Sequence, residues 1–421
     1  MARVIDIGSD RLRRWIGPAS IVATLAAAPL SSANSAPYQD PPVFASANGH
    51  LNLVVVAERI DNNSVSNFFP GASGKGPEAW VYQVCQDQPA GTTSCPAGAV
   101  APYGGVRLAL VAGDELKITF VNKLPVGTDF DNGAVLGDYL HLNPSNLHTH
   151  GLIVEPRTPT LQRPTYGDDI YVLDFNTSNG APIPPPPTNS HIHFDITANV
   201  INYDYNIPSN HPSGSFILHP HPHGISMNQM EAGLSSIITI GDVSDHICAD
   251  PYCAQPLLGL TTRHFVLKDT QYERGNGQGQ LSTQIDTAFC ATNAALNGYC
   301  DGVDDTAIDG LNHKGGKWFF PVSGQIYPDV EITNAQGEIW SFTNASGSAT
   351  YDLRLTDARS GYDMAMQVIS VDGVAVDIPV TALPGDLVRI ASGKIRIANC
   401  PRQSGRKRDL TTGYRGAYGV G

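Results

Sequence analysis

Residues 106–124 read VRLALVAGDELKITFVNKL, and apolar and polar side chains alternate on both sides of the Gly113-Asp114 pair. Alternation with a period of two is typical of a β-strand with one buried face, and a Gly-Asp pair between two such runs predicts a turn. Residues 51–60, LNLVVVAERI, form another strand-like run, and residues 215–240 begin and end in strand-like sequence around a polar loop. Strands of this kind predict a β-sandwich.

A second series of short strands is predicted beyond residue 245, at residues 264–269, 318–322, 329–342, 351–356 and 366–371. Within the first series, ahead of residues 215–240, residues 157–212 form an irregular, proline-rich segment that is predicted to be a long loop with one or two strands, at 171–175 and 191–196. The spacing of the short strands beyond residue 245 predicts a second sandwich. We therefore expect one unit over residues 43–244 and another over residues 245–390.

The composition agrees with this division. A chain of 421 residues exceeds one compact domain of about 150 residues. It contains 42 Gly, 31 Pro and only 15% charged residues, which favours β-sandwiches over helical bundles. The formal net charge of −13 argues against a dedicated nucleic-acid-binding protein, because binding to phosphates needs a basic surface. No apolar run approaches the roughly 20 residues of a membrane span.

Residues 1–36 are predicted to be an export signal, with basic residues at Arg11, Arg13 and Arg14 ahead of an apolar stretch at 16–30. Arg13-Arg14 fits a twin-arginine signal loosely, and an ordinary secretory leader is the alternative. Either signal predicts a periplasmic or extracellular protein. Three close cysteine pairs are predicted to be disulfides, as expected of an exported chain: Cys85/Cys95, Cys248/Cys253 and Cys290/Cys300.

Residues 391–421 differ in character from the rest of the chain. They hold seven basic residues and one acidic residue, a charge of 7 − 1 = +6, whereas the remainder carries 19 − 38 = −19. The alternation of the preceding strands is lost, and the segment contains the unpaired Cys400. A solvated basic tail and a change of reading frame both explain these features, and composition does not separate them.

The histidines form two tight groups, His148-Thr149-His150 and His219-Pro220-His221-Pro222-His223. On a strand, a His-x-His pair places both imidazoles on one face, about 7 Å apart. Two such pairs on neighbouring strands would direct four nitrogen ligands into one small volume. All-imidazole sites suit copper, zinc, iron and nickel, and copper has the highest affinity. A third pair, His191 and His193, lies beside the proline-rich loop and is assigned to the surface.

These groups resemble the multicopper oxidases, a family that includes laccases, bilirubin oxidases and copper-efflux oxidases. The likeness rests on residues 148–152 (HTHGL) and 219–224 (HPHPHG), followed by Gln229 and by 233–238 (GLSSII). It covers roughly residues 43–390 and implies an all-β fold of tandem cupredoxin-like Greek-key β-sandwiches. By this likeness His148 would bind a type 2 copper, while His150, His219 and His221 would bind type 3 coppers and His223 none.

The resemblance also implies that Asp168 relays protons to oxygen, although an aspartate in a loop is more often only solvated. Family members oxidise a small reducing substrate at a type 1 copper, which needs two His and a Cys. They then reduce dioxygen at a three-copper cluster with eight His ligands. After His223 this chain has only three isolated histidines, and no cysteine is flanked by histidine. We therefore expect half of the cluster ligands and no type 1 site.

Two explanations account for the missing ligands: a truncation or frameshift near residue 390, or a true two-domain relative that binds copper or completes its cluster with another chain. The intact form would oxidise phenolic or metal-ion substrates and reduce dioxygen to water. The alternative function is a non-catalytic copper-binding envelope protein. A zinc hydrolase is a third hypothesis, but the sequence contains no His-Glu-x-x-His motif. The substrate and the oligomeric state stay open.

Overall fold

The structure is a computed structural model. It describes residues 2–3, 37–61, 78–125, 143–178, 180, 182–183, 194–223, 225–242, 259–275, 278–281, 317–325, 328–332, 337–347, 349–357 and 360–400. The first half contains β1 (Ala2–Arg3), β2 (Val43–Ala45), β3 (His50–Asp61), β4 (Glu78–Gln86), β5 (Arg107–Leu110), β6 (Glu115–Lys123), β7 (His148–His150), β8 (Val172–Phe175), β9 (Asp195–Ala198), β10 (Val200–Asn206), β11 (Gly214–His219), α1 (Ser226–Ala232) and β12 (Ser236–Ile240). The second half contains β13 (Thr262–Leu267), β14 (Thr270–Gly275), β15 (Gln278–Leu281), β16 (Lys317–Phe319), β17 (Glu338–Asn344), β18 (Tyr351–Leu353), β19 (Leu355–Asp357), β20 (Asp363–Met364), β21 (Met366–Val371), β22 (Val374–Ala382), β23 (Val388–Ile390) and β24 (Ile395–Cys400).

The first hydrophobic core lies between a seven-stranded sheet, β10-β6-β3-β4-β15-β14-β16, and a five-stranded sheet, β2-β5-β12-β11-β7. The alternation in β6 directs Leu116, Ile118 and Phe120 into this core, and Lys117 between them is exposed. Burying such a side chain contributes about 1.5–3 kcal/mol. A turn at Gly113-Asp114 joins β5 to β6, as the sequence predicts, and the amide of Val111 donates to the Asp114 carboxylate.

The second core is formed by the five-stranded sheet β13-β17-β24-β21-β22 and the two-stranded sheet β18-β23. Phe265, Trp340 and Phe342 lie at its centre, with ring centroids 5.1 to 6.1 Å apart. Not all of the second half joins this sheet, because β15 pairs with β4 and so adds β14–β16 to the first one. The smaller sheets are β8-β9 and β1-β19-β20.

The all-β prediction is confirmed, with two differences of detail. The polar loop predicted within residues 215–240 contains the seven-residue helix α1. The first ten residues of the predicted basic tail, 391–400, lead into and form β24, which lies inside the second sheet between β17 and β21. In β24, Ile395 and Ile397 are buried while Arg396 reaches Asp372, so a basic residue on the outer face hid a short alternation. Residues 401–421 lie outside the described part of the chain.

The predicted disulfide between Cys85 and Cys95 is present. The other two predicted pairs, the boundary between residues 244 and 245 and residues 4–36 of the predicted leader lie outside the described residues. Among the described residues, no helix is long and apolar enough to cross a membrane.

Candidate metal centre

Strand pairing brings the two histidine groups together. Strand β7 runs antiparallel to β11 at the edge of the five-stranded sheet, and His148 lies opposite His219 in the register. Because side chains alternate along a strand, His148 and His150 lie on one face, while Thr149 between them is buried. His221 lies two residues beyond the end of β11, where its amide donates to the Oδ1 atom of Asn146 at 2.6 Å.

The four imidazole rings form one cluster. Ring centroids lie 5.3 Å apart for His148 and His219, 5.0 Å for His148 and His221, and 5.7 Å for His150 and His219. One nitrogen from each of His148, His150 and His219 lies within 4.8 Å of the other two. These rings are therefore close enough to share a small metal site.

Burial favours the neutral form of His150, His219 and His221. Burial, reinforced by the neighbouring imidazoles, lowers the pKa of His219 to about 3. Burial and the nearby His148 also lower the pKa values of His150 and His221 below the ordinary value of 6.5. A neutral imidazole keeps the lone pair that a metal ion needs, so these three rings are suited to bind a cation near neutral pH.

The orientation of the His219 ring is set by the backbone beside it. Its Nδ1 atom lies 2.8 Å from the carbonyl oxygen of Pro220, which makes Nδ1 the protonated nitrogen and leaves Nε2 as the acceptor. The hydroxyl of Ser226 donates to the same carbonyl, at 2.6 Å. Such partners on the second ring nitrogen usually fix the tautomer of a metal-binding histidine.

Asp168 lies against the first histidine pair rather than in solvent. Its Oδ1 accepts the Thr149 amide at 2.8 Å, and its Oδ2 lies 3.0 Å from Nδ1 of His148. The second contact is oblique, so Nδ1 of His148 lacks a partner in hydrogen-bonding geometry. Burial raises the pKa of Asp168, but His148 and the Thr149 amide outweigh burial, and the pKa lies below its ordinary value. Asp168 is therefore an anion that orients His148.

Two buried amides hold the histidine segments in place. Asn146 donates to the carbonyls of Ile170 and Val172 and accepts the His221 amide. Gln229 on α1 donates to the Pro144 carbonyl at 2.9 Å and accepts the Ser145 hydroxyl at 3.1 Å. The sequence marks Gln229 only as part of a family pattern and predicts no role for Asn146. An asparagine in a loop is usually a turn residue, and nothing local distinguishes Asn146 from one.

The other histidines that the structure describes do not join the cluster. His223 is exposed, and both ring nitrogens of the buried His211 are engaged, one by the Ile153 amide and one by the Pro212 carbonyl. His264 is buried on β13 in the second sheet. Five further histidines lie outside the described residues: His141, His191, His193, His246 and His313.

Known proteins resemble this chain in structure but not in sequence. Neither a protein-family profile nor a curated protein matches the sequence. A laccase from Pediococcus acidilactici matches with a TM-score of 0.50 and 15% identity over 88% of this chain and 58% of that chain. McoA multicopper oxidase from the hyperthermophile Aquifex aeolicus matches with a TM-score of 0.49 and 16% identity over 86% of this chain and 57% of that chain. A multicopper oxidase from Campylobacter jejuni matches with a TM-score of 0.48 and 14% identity over 91% of this chain and 59% of that chain.

The likeness to the Pediococcus structure confirms the predicted cupredoxin-like β-sandwich fold. The chain spans less than two thirds of the length of each of these proteins. The histidine cluster itself fits copper. Its donors are imidazoles, His219 has its second ring nitrogen held by a backbone carbonyl, and the carboxylate of Asp168 beside His148 offsets part of the charge of a bound cation.

Proposed function

We propose that this chain is a copper-binding protein of the multicopper oxidase class, with His148, His150, His219 and His221 as the copper ligands. The observation that carries the proposal is the convergence of four imidazoles, all at least partly buried, from two adjacent strand ends. In the specific proposal, His148 binds a type 2 copper and the other three bind type 3 coppers. The four ligands would then form half of a three-copper site.

When bound, copper would supply one-electron redox chemistry at this site. The described residues contribute the rest of the environment. His219 offers Nε2 because Pro220 holds Nδ1, and Asp168 holds His148 by its Nδ1 side. Asp168 is also the proposed proton carrier for oxygen reduction, since its partly buried carboxylate lies in contact with a proposed ligand.

Oxidase activity is the wider part of the proposal. Oxidation of phenolic or metal-ion substrates with reduction of dioxygen to water would require a type 1 copper and four further cluster histidines. In this proposal they come from another polypeptide segment or another chain. We further propose that the protein acts outside the cytoplasm, as the basic and apolar character of residues 1–36 and the Cys85–Cys95 disulfide favour.

The test is a copper titration of the purified chain and of the double variant His148→Ala/His221→Ala. We expect the wild-type chain to bind copper tightly and to give the EPR signal of a nitrogen-ligated Cu(II) without intense blue colour. The double variant should bind at least about 100-fold more weakly, since it loses two of four proposed ligands. The matched control is His50→Ala/His223→Ala, which removes two exposed imidazoles and should bind like the wild type.

Each outcome decides a separate part of the proposal. Equal copper stoichiometry in the wild type and the His148→Ala/His221→Ala variant would refute the ligand assignment. Tighter binding of zinc than of copper would favour the alternative in which the histidines form the zinc site of a hydrolase. Oxygen consumption with a phenolic substrate by the copper-loaded chain would show that the chain is itself an oxidase. Bound copper without turnover would favour the non-catalytic envelope protein.

A further inference from the structure

Helix α1 lies between the two histidine segments and contacts both. At its N-terminal end, the Ser226 hydroxyl and amide donate to the carbonyls of Pro220 and Pro222, within the second histidine group. From its middle, Gln229 reaches Pro144 and Ser145, which precede the first group. A shift of this short helix would therefore move both pairs of imidazoles.

The C-terminal end of α1 is held by a residue from the second half of the chain. The Lys268 ammonium donates to the carbonyl oxygens of Gly233 at 3.0 Å and Met230 at 3.3 Å. It also lies 5.6 Å from the centre of the Tyr103 ring. Cationic donors suit the carbonyls at the C-terminal end of a helix, and an ammonium over an aromatic ring gains a further attraction.

Lys268 is itself rigidly placed. Only 1% of its surface is exposed, its amide donates to Pro321, and its carbonyl accepts the Tyr351 hydroxyl at 2.7 Å. The adjacent Asp269 accepts the amides of Gly347 and Ala349 at 2.8 and 2.9 Å. These partners belong to the second half of the chain. They fix the position of the Lys268 ammonium, which contacts the C-terminal end of α1.

The loop at Gly347 packs closely against the C-terminal end of α1. A Cβ atom added to Gly347 would lie 2.6 Å from Cγ of Glu231 on the helix, closer than real side chains approach. The loop that Asp269 organises thus packs directly on α1. Burial of a lysine is costly unless its ammonium donates hydrogen bonds, and here the acceptors are the carbonyls at the end of α1.

We propose that Lys268 is a positioning residue for the histidine cluster, which it acts on through helix α1. The proposal rests on the copper-binding function proposed above. Lys268 does not touch the imidazoles; it holds Met230 and Gly233, and the helix transmits that position to Ser226 and Gln229. The second half of the chain would then set the geometry of a site whose four proposed ligands all lie in the first.

The test compares copper binding by the wild type, Lys268→Met and Lys268→Gln. Methionine is similar in length but donates no hydrogen bond, so Lys268→Met should bind copper about tenfold more weakly and with an altered Cu(II) EPR spectrum. Lys268→Gln keeps a donor for the carbonyls and should recover most of the affinity and the spectrum. Lys117→Met, at an exposed lysine on β6, is the matched control and should behave like the wild type.

Stability and copper binding are measured on the same samples, by denaturant unfolding and by titration. A folded Lys268→Met protein with unchanged affinity and EPR spectrum overturns the proposal, even if its unfolding midpoint has moved. Should Lys268→Met not fold, Ser226→Ala loosens the other end of α1, and unchanged copper binding in that variant overturns the proposal instead. If the wild type binds no copper, the proposed function fails first, and the titration of the unmodified chain shows this separately.

Discussion

The strand ends at Asn122 and Asn344 are built alike, although they belong to different sheets. Each asparagine is fully buried and donates from Nδ2 to two carbonyls, those of Asn143 and Asp174 in one case and of Ala349 and Ile390 in the other. Each also accepts the amide of the residue two positions later. The same local construction therefore closes a strand in both cores.

The two regions differ in the loop that each asparagine holds. In the first, Asn122 holds Asn143 at the start of the segment that leads through Asn146 to the histidines. In the second, the corresponding loop is held by hydroxyl groups, with Ser346 and Tyr351 3.2 Å apart and Ser392 donating to the Ser346 carbonyl. The same strand-end construction thus occurs twice, while the proposed metal-binding side chains lie beside only one copy among the described residues.

The pair Asn122→Ala and Asn344→Ala gives the largest expected effect. Each change removes three hydrogen bonds and leaves buried carbonyls without a donor, so each should lower the free energy of unfolding by about 3 kcal/mol. Asn122→Ala should also weaken copper binding, and more strongly than Asn344→Ala, whose loop reaches the site through Asp269 and α1. Trp80 is buried in the first core and Trp340 in the second. Fluorescence of variants that keep only one of these two tryptophans therefore reports the unfolding of each core separately. Equal loss of copper affinity in both variants would contradict the comparison.

A smaller effect is expected on the pH dependence of stability, through Lys268. This residue lies in the second half of the chain and contacts α1 in the first. Burial lowers its pKa from 10.5 to about 7, and Asp269 opposes this only in part. Above pH 7 the unfolded chain therefore binds more protons at this position than the folded one, and stability should rise with pH until about 10.5. Between pH 7 and pH 9 the gain is about 2 kcal/mol, at about 1.4 kcal/mol per pH unit once the folded-state amine is neutral.

The Lys268→Met variant lacks this group, so the unfolding free energy of the wild type minus that of the variant should increase by about 2 kcal/mol between pH 7 and pH 9. Denaturant titrations of both proteins at pH 7, 8 and 9 measure it. A constant difference would show that Lys268 keeps an ordinary pKa in the folded protein and is less buried than the structure indicates.

The smallest effect is expected for His223→Ala. His223 follows the pattern of the second histidine group but is exposed, whereas His221 lies 5.0 Å from His148 between ring centres. Its removal should change stability by less than about 0.5 kcal/mol and leave copper binding unchanged. Calorimetric titration checks this, and a tenfold loss of affinity would move the proposed ligand from His221 to His223.

Local sequence carries much of the fold and part of the site. Strand β21 occupies the predicted residues 366–371, and β6 and its turn follow the alternation around Gly113-Asp114. The two His-x-His pairs are recognisable as pairs because period-two spacing on one strand is a local property. The sequence predicts a polar loop in place of helix α1 because seven residues are too few for a clear helical period.

The sequence by itself determined the β character of the chain, the Cys85–Cys95 pairing and the two histidine pairs, since each depends on neighbours along the chain. Only the tertiary structure decided that His148 faces His219, that β24 enters the second sheet and that Lys268 ends beneath α1. The physical reason is that strand register and the burial of a charged side chain depend on contacts between distant segments. A lysine in the sequence is most often a solvated residue, and only its partners show that this one is not.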